Sequence, residues 1–318
     1  MYACRIIVLL IGWHCSADGR EIAASGTRTA HYVFAADEGK IFSWFQGSEN
    51  RWEWPMVRTE WPVLGVTNQT SIAAVIRKES YRVYWPSDDK VKGYYADEAT
   101  NWGWVYKEFQ APGVRPESKI AADGSWNAHY IFVAAQDKIY SWGQDIASNW
   151  NTIAREWPVS NMTPRTSIAT IVDGFNYAVY WATEQDKIGG RYLRFISLRK
   201  GWEWTDTEIA ASGITPVTQI AASGTRMGHY IFAAAQDRLN CWWWGKANGW
   251  KWPLDEWHYA VPGMTSSVRL ASIAKDYYRN LYFALEDDRV QGIHLRGWMW
   301  DPEYLPNITF SSTDDFHV

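Results

Sequence analysis

Three histidines in this chain, His31, His129 and His229, each stand directly before a tyrosine in an apolar stretch. A tryptophan follows in each case, Trp44, Trp142 or Trp242, and beyond it comes a Glu-Trp pair: Glu60-Trp61, Glu156-Trp157 or Glu256-Trp257. The chemistry these types share is recognition of a small polar molecule with one apolar face. A pyranose has such a face, which stacks on indole, and hydroxyls that want directed, often charged, donors and acceptors. A few polar groups in an aromatic-lined cleft are what a small-molecule site needs. Imidazole, indole and carboxylate supply those types, provided the fold gathers them.

The elements that must position them are repeats. Similar text begins at Ile22, Ile72, Ile120, Ile168, Ile220 and Leu270, so the steps are 50, 48, 48, 52 and 50 residues. Such a period marks a repeat architecture. In the first copy, residues 22–25 are small and apolar, as an innermost strand near an axis should be, and residues 31–36 are a second strand rich in aromatic and β-branched types. Asp37-Glu38-Gly39 turns the chain into a third strand at 40–45. A fourth strand is expected to begin at 50–54, and the segment from Glu60 to Thr70 to carry the chain onward. Four strands per copy is the signature of a propeller blade. The expected fold is therefore all-β: a six-bladed β-propeller, one domain over residues 21–318.

Alternation makes the sequence its own control. All six copies share the apolar opener, an aromatic on strand two (Phe34, Tyr84, Phe132, Tyr180, Phe232, Phe283) and a basic residue after the turn. They also share a Trp at the start of strand four (Trp52, Trp102, Trp150, Trp202, Trp250, Trp298) and a following Glu. Odd copies alone carry the His and the added tryptophans. Even copies have Tyr81, Tyr177 and Asn280 in place of the His, and Tyr94, Arg191 and Ile293 in place of the first Trp. Gly93, Gly190 and Gly292 stand where odd copies have Ser43, Ser141 and Cys241. Two readings follow. Odd copies carry ligand sites, or odd and even copies differ only in how they pack; on the second, the shared Trp fills space between blades and the shared Glu pairs locally.

Composition excludes several partners. With 47% hydrophobic and 21% charged residues the chain can build a large core, and its formal net charge of −4 leaves no basic footprint for nucleic acid. No run of Lys or Arg suggests a membrane surface, and no membrane insertion is expected. The excess is aromatic, 23 Trp and 18 Tyr, which suits half-wet sites. Cys4, Cys15 and Cys241 make neither a disulfide framework nor a zinc spacing, and no calcium loop or cofactor fingerprint is visible, so no cofactor and no metal are expected. Residues 1–20 lie outside the repeat. Arg5 followed by IIVLLIGW reads as a short secretory signal or as a buried strand that helps to close the ring, with the strand favoured because the apolar run is near the lower limit for a signal. Sequons at Asn68, Asn161 and Asn307 fit either view, and the chain is secreted or cytoplasmic accordingly.

At Arg82-Val83-Tyr84, the turn Asp88-Asp89, Lys90-Val91 and then Trp102, the repeat resembles the fungal fucose-specific lectins. The resemblance covers all six copies, from Ile22 to about Tyr304, and implies a six-bladed propeller with sugar sites between blades. That family grips fucose with an Arg on strand two, a Glu or Gln twelve residues later and an aromatic beyond. In that register this chain has Arg82, Tyr94 and Trp102; odd copies have Tyr32, Trp44 and Trp52, then Tyr130, Trp142 and Trp150, then Tyr230, Trp242 and Trp250. The basic and acidic members are absent at nearly all of these positions. The resemblance thus implies a lectin whose partners are glycans and glycoproteins, and mushroom relatives that bind N-acetylglucosamine turn the expectation toward that sugar. An N-acetyl group adds a methyl for an aromatic wall and an amide for hydrogen bonds.

Two rival functions are a propeller glycosidase and a protein-interaction scaffold. Glycosidases need two carboxylates in asymmetric roles, whereas the recurrent Glu is repeated in every copy, and the S-x-D-x-G-x-x-W box of sialidases is absent. The expectation is a lectin without catalysis, with three sites, in copies one, three and five.

Overall fold

A computed structural model describes the backbone between residues 22 and 301 apart from short stretches, and side chains chiefly between residues 62 and 272. Six four-stranded antiparallel sheets follow one another, each made of four consecutive strands. Blade 1 holds β1 (Ile22–Gly26), β2 (Ala30–Asp37), β3 (Lys40–Gly47) and β4 (Val57–Pro62). Blade 2 is β5–β8 (residues 73–110), blade 3 is β9–β12 (120–158) and blade 4 is β13–β16 (168–210). Blade 5 is β17–β20 (220–260) and blade 6 is β21–β24 (269–301). The first strands of successive blades touch in order around the ring, and β21 returns to β1. The expected six-bladed β-propeller is the fold observed. The expected N-terminal strand or signal at residues 1–20 lies outside the described residues. No helix among the described residues is long and apolar enough to cross a membrane.

Small residues explain the inner strands. Ala73, Ala74, Ala121, Ala169 and Ala221 are buried or nearly so, letting neighbouring backbones crowd toward the axis. Polar side chains there reach across to the next blade. Ser25 Oγ accepts from Ile76 N at 2.9 Å, and Asp123 Oδ2 accepts from Val172 N at 2.7 Å. The recurrent turn residue has an equally local reason. Asp89, Asp137 and Asp237 adopt φ of 53°, 56° and 57°, a left-handed conformation that Asp tolerates better than most residues. Each then ties its turn to the connection that leaves the blade, donating from N to Val114 O, Met162 O and Met264 O at 2.9 Å.

The fourth strand differs from expectation. In blade 1 it spans Val57–Pro62, so Glu60-Trp61-Pro62 closes the strand and does not open the connection; residues 50–54 lie outside the described residues. In blade 4, whose β15 (Lys187–Ser197) and β16 (Gly201–Ala210) are longer, the shared tryptophan, Trp202, falls inside strand four; Trp52, Trp102, Trp150, Trp250 and Trp298 lie outside the described residues. Blade 6 requires a one-residue correction. Tyr282, not Phe283, lies across from Gly292, so Arg279 takes the register position of the odd-blade His and Asn280 that of Arg82.

Candidate functional site

Register decides which face of a blade each side chain takes, because side chains alternate along a strand. In blade 3, β10 (Ala128–Ala135) pairs with β11 (Lys138–Asp145) so that His129 faces Gln144 and Ile131 faces Trp142. Those four share the face turned to blade 2. Trp157, on β12 (Ile153–Pro158), lies across from Ile139 and packs toward blade 4, with its ring centroid 4.8 Å from that of Trp204 and 5.6 Å from that of Phe132. The proposed His–Trp–Glu–Trp set therefore straddles two interfaces.

Nor does the tryptophan offer a stacking face. Trp142 is 5% exposed and Trp242 is 1% exposed, both inside interblade cores. Phe109 of blade 2 covers Trp142 at 5.4 Å and Tyr140 stacks on it at 5.9 Å. This corrects the expectation that these rings take a sugar. Glu156 is the next correction. It lies across from Tyr140, four residues along β11 from the His129–Gln144 pair, which at about 3.3 Å per residue is ~13 Å away. There it pairs with Lys138 at 2.7 Å, and Lys90–Glu108 and Lys187–Glu208 repeat the pair at 2.8 Å in blades 2 and 4. In blades 2, 3 and 4 the recurrent Glu is thus the local ion-pair partner of the recurrent Lys. Exposed pairs of this kind contribute little. Glu156→Gln should change unfolding free energy by no more than ~0.5 kcal/mol and leave glycan binding unchanged, as denaturant titration and calorimetry would show.

Blade 5 departs further. Its β20 (Asp255–Ala260) pairs with β19 (Arg238–Gly245) so that His258, not Glu256, stands at the position of Glu156, where its Nδ1 meets Asn240 Oδ1 at 2.8 Å. Glu256 falls across from Trp242 and Trp257 across from Cys241, two residues out of the expected register. In blade 1, His31 lies across from Gln46, Trp44 from Val33, Glu60 from Phe42 and Trp61 from Ile41. The side chains of those four, and of Glu256 and Trp257, lie outside the described residues.

What converges instead is a polar group between blades 2 and 3. Arg82 sits on β6 (Ser80–Ser87), on the face turned to blade 3. Its Nη1 donates to Gln144 Oε1 at 2.7 Å and also contacts His129 Nε2, while Nε donates to Ser80 Oγ at 3.1 Å. His129 Nε2 is 2.8 Å from the same Gln144 oxygen. Tyr95, across from Arg82 on β7 (Lys90–Asp97), lies under the guanidinium at 6.0 Å. Lys107 on β8 (Val105–Gln110) extends over the Phe109 ring at 5.3 Å. Arg82, Tyr95, Lys107 and Gln144 are half-buried and His129 is 4% exposed, so the group forms a floor with an open mouth. Tyr94, by contrast, faces Val83 and packs with Trp85 and Tyr106 on the other side of the blade. Arg82 and Tyr94 therefore cannot act together; Trp102 lies outside the described residues.

Sequence reading missed Gln144, Tyr95 and Lys107. The signal was present in the hairpin: with a two-residue turn at Gln136-Asp137, the cross-strand partner of His129 is necessarily Gln144. The equivalent interface between blades 4 and 5 holds different groups. Ala178 replaces Arg82, Tyr192 replaces Tyr95 and Thr207 replaces Lys107, opposite His229. Among the described residues no three His, Cys, Asp or Glu side chains gather as a metal cluster would require.

The fold places the chain among known lectin structures. It is similar to the SapL1 lectin, solved with α-methyl fucoside, at a TM-score of 0.62 and 19% identity over 89% of this chain and 95% of that one. The Aleuria aurantia lectin, described as a six-bladed β-propeller with a novel fucose recognition mode, matches at 0.61 and 17% over 88% and 93%. A substituted form of AofleA from Arthrobotrys oligospora matches at 0.65 and 14% over 92% and 87%. This chain has the fold of the fungal fucose lectins. No family model and no curated protein matches the sequence.

Proposed function

We propose that this chain is a non-catalytic, multivalent lectin whose sites are the clefts where an even blade meets the following odd blade. The observation that carries the reading is the half-buried cluster of Arg82, His129 and Gln144 beside Tyr95. Convergent donors and an acceptor next to an aromatic ring, open at one side, suit sugar hydroxyls. This reading gives the ring three sites, with His31, His129 and His229 on their odd-blade side. Trp142 and Trp242 form the wall behind and do not stack on the ligand. Fucose binding by proteins of the same fold at similar interblade positions is the resemblance's contribution, and glycoproteins are the natural partners. Among neutral sugars the N-acetylhexosamines fit best, since their methyl takes an aromatic wall and their amide pairs with imidazole or carboxamide.

Ion pairing of the recurrent Glu on the outside of the blades supports binding without turnover. A glycan array on the purified chain, with sugar-inhibitable agglutination of red cells, tests the proposal. Fucosides and N-acetylglucosaminides are the decisive ligands, and aryl glycosides should remain uncleaved. Binding to no glycan on the array, or release of the aryl group, would overturn the reading.

A further inference from the structure

The clefts are not equivalent, and the difference is one of charge. Between blades 2 and 3, Arg82 and Lys107 face the same half-buried space, and neither has a carboxylate partner among the described residues. Four cationic residues of strand three behave differently: Lys90, Lys138, Lys187 and Arg191 each pair with a Glu or Asp. Gln144 Oε1 is one carbonyl oxygen serving both Arg82 Nη1 and His129 Nε2. Nε2 cannot both accept from Arg82 and donate to Gln144, so in either tautomer only one of its two contacts is a hydrogen bond. Burial, with the charge of Arg82 added, pulls the Lys107 amine below its ordinary value. A half-buried cationic pair without counter-charge is a costly arrangement that an anion would relieve. Blade 4 carries Ala178 and Thr207 at the same register positions, so these charges are no requirement of the propeller.

We infer that the cleft between blades 2 and 3 takes an acidic sugar, whose carboxylate or sulfate ester accepts hydrogen bonds from Arg82 and Lys107. The inference rests on the lectin reading and adds a ligand class for which the interface between blades 4 and 5, with Ala178 and Thr207 at the positions of Arg82 and Lys107, lacks those cations. Arg82 supplies a planar fork matched to two oxygens, Lys107 a point charge at the rim, and Tyr95 an aromatic face beside the sugar ring. His129 and Gln144 orient the guanidinium from below.

The test is calorimetric titration of the whole chain with 3′-sialyllactose, 3′-sulfolactose and lactose at low and at physiological salt. Each acidic trisaccharide or sulfated disaccharide should bind one site per chain at least about tenfold more tightly than lactose, and the advantage should shrink as salt rises. Tight binding of only one of the two acidic ligands identifies the acid group and supports the inference. Arg82→Met should abolish the preference. Lys107→Met, a rim change that leaves the His129 contacts intact, should reduce it severalfold, with thermal melts confirming that both variants fold. Equal binding of lactose and its acidic derivatives, or a preference that survives both substitutions, overturns the inference. If neutral glycans bind without any acidic preference, the lectin reading stands and this one falls; if no glycan binds, both fall.

Discussion

Trp242→Ala should unfold with ~3–5 kcal/mol less stability than the parent chain, the range for truncating a large aromatic in a packed core. Trp242 is 1% exposed and lies in one continuous cluster with Tyr180, Ile171 and Ile188 of blade 4. Removing it leaves a cavity across a blade interface, where two sheets must move together for the void to close. Its indole N–H has no hydrogen-bond partner among the described residues, so the ring is held by packing alone. Trp242→Phe should therefore lose much less, because the substitution also removes a buried, unmatched donor whose burial costs about 1–3 kcal/mol. Urea titration of both variants, followed by tryptophan fluorescence, measures the difference. An alanine variant that melts with the parent but no longer binds glycan would return Trp242 to the ligand site and sink the core assignment.

That expectation reverses the one drawn from alternation, and the reason is physical. In blades 2 and 4 a glycine lies beneath an aromatic: a Cβ on Gly93 would sit 2.5 Å from Tyr84 Cδ1, and one on Gly190 would sit 2.6 Å from Tyr180 Cδ1. The flattened tyrosine leaves a space at the interface, and the following odd blade fills it with Trp142 or Trp242. Recurrence in alternate copies is what a ligand set would show, but two complementary packing surfaces show it equally.

Blade number, inner strands and the turn aspartates were legible because they depend on local pattern: small residues near the axis, period-two alternation and left-handed turn positions. Faces were not legible, because a shift of one residue in a hairpin exchanges them. Arg82 and Tyr94 look paired at twelve residues in sequence, yet the register sets Arg82 against Tyr95 and sends Tyr94 to blade 1. The two-residue shift that puts His258 in the place of Glu156 was hidden for a related reason. In blade 5, as in blades 1 to 3, strand four follows the longest connection in the blade, so motif spacing says least about its pairing. Lys107 carries no repeat signal, since blade 4 has Thr207 at its position, and Gln144 recurs as Gln46 in blade 1 but not in blade 5, which has Trp244 there.

Acid should destabilise this propeller through His229 before its carboxylates are protonated. Burial against β17 (Ile220–Thr225) pushes its imidazole down to about 4, from an ordinary value of 6.5. Gly224 lies across from it and Ile171 beside it, so the surroundings are close and apolar. The sign follows from proton counting. Between pH 6.5 and about 4 the unfolded chain binds a proton at this residue that the folded chain refuses, so stability is fully present above pH 6.5 and falls as pH drops through that window. The loss is about 1.4 kcal/mol per pH unit once well below 6.5. Urea titrations at pH 7.5 and pH 5 should show it in the parent, and His229→Phe, which keeps a flat apolar ring and cannot titrate, should flatten the slope by close to one proton. His129, which lies against Arg82 and Gln144, is the control: substituting it should alter glycan binding at the cleft between blades 2 and 3, while the acid slope of the His129 variant keeps the His229 contribution. If His229→Phe loses stability with falling pH as steeply as the parent, the acid sensitivity belongs to other groups and His229 is protonated in both states at pH 5.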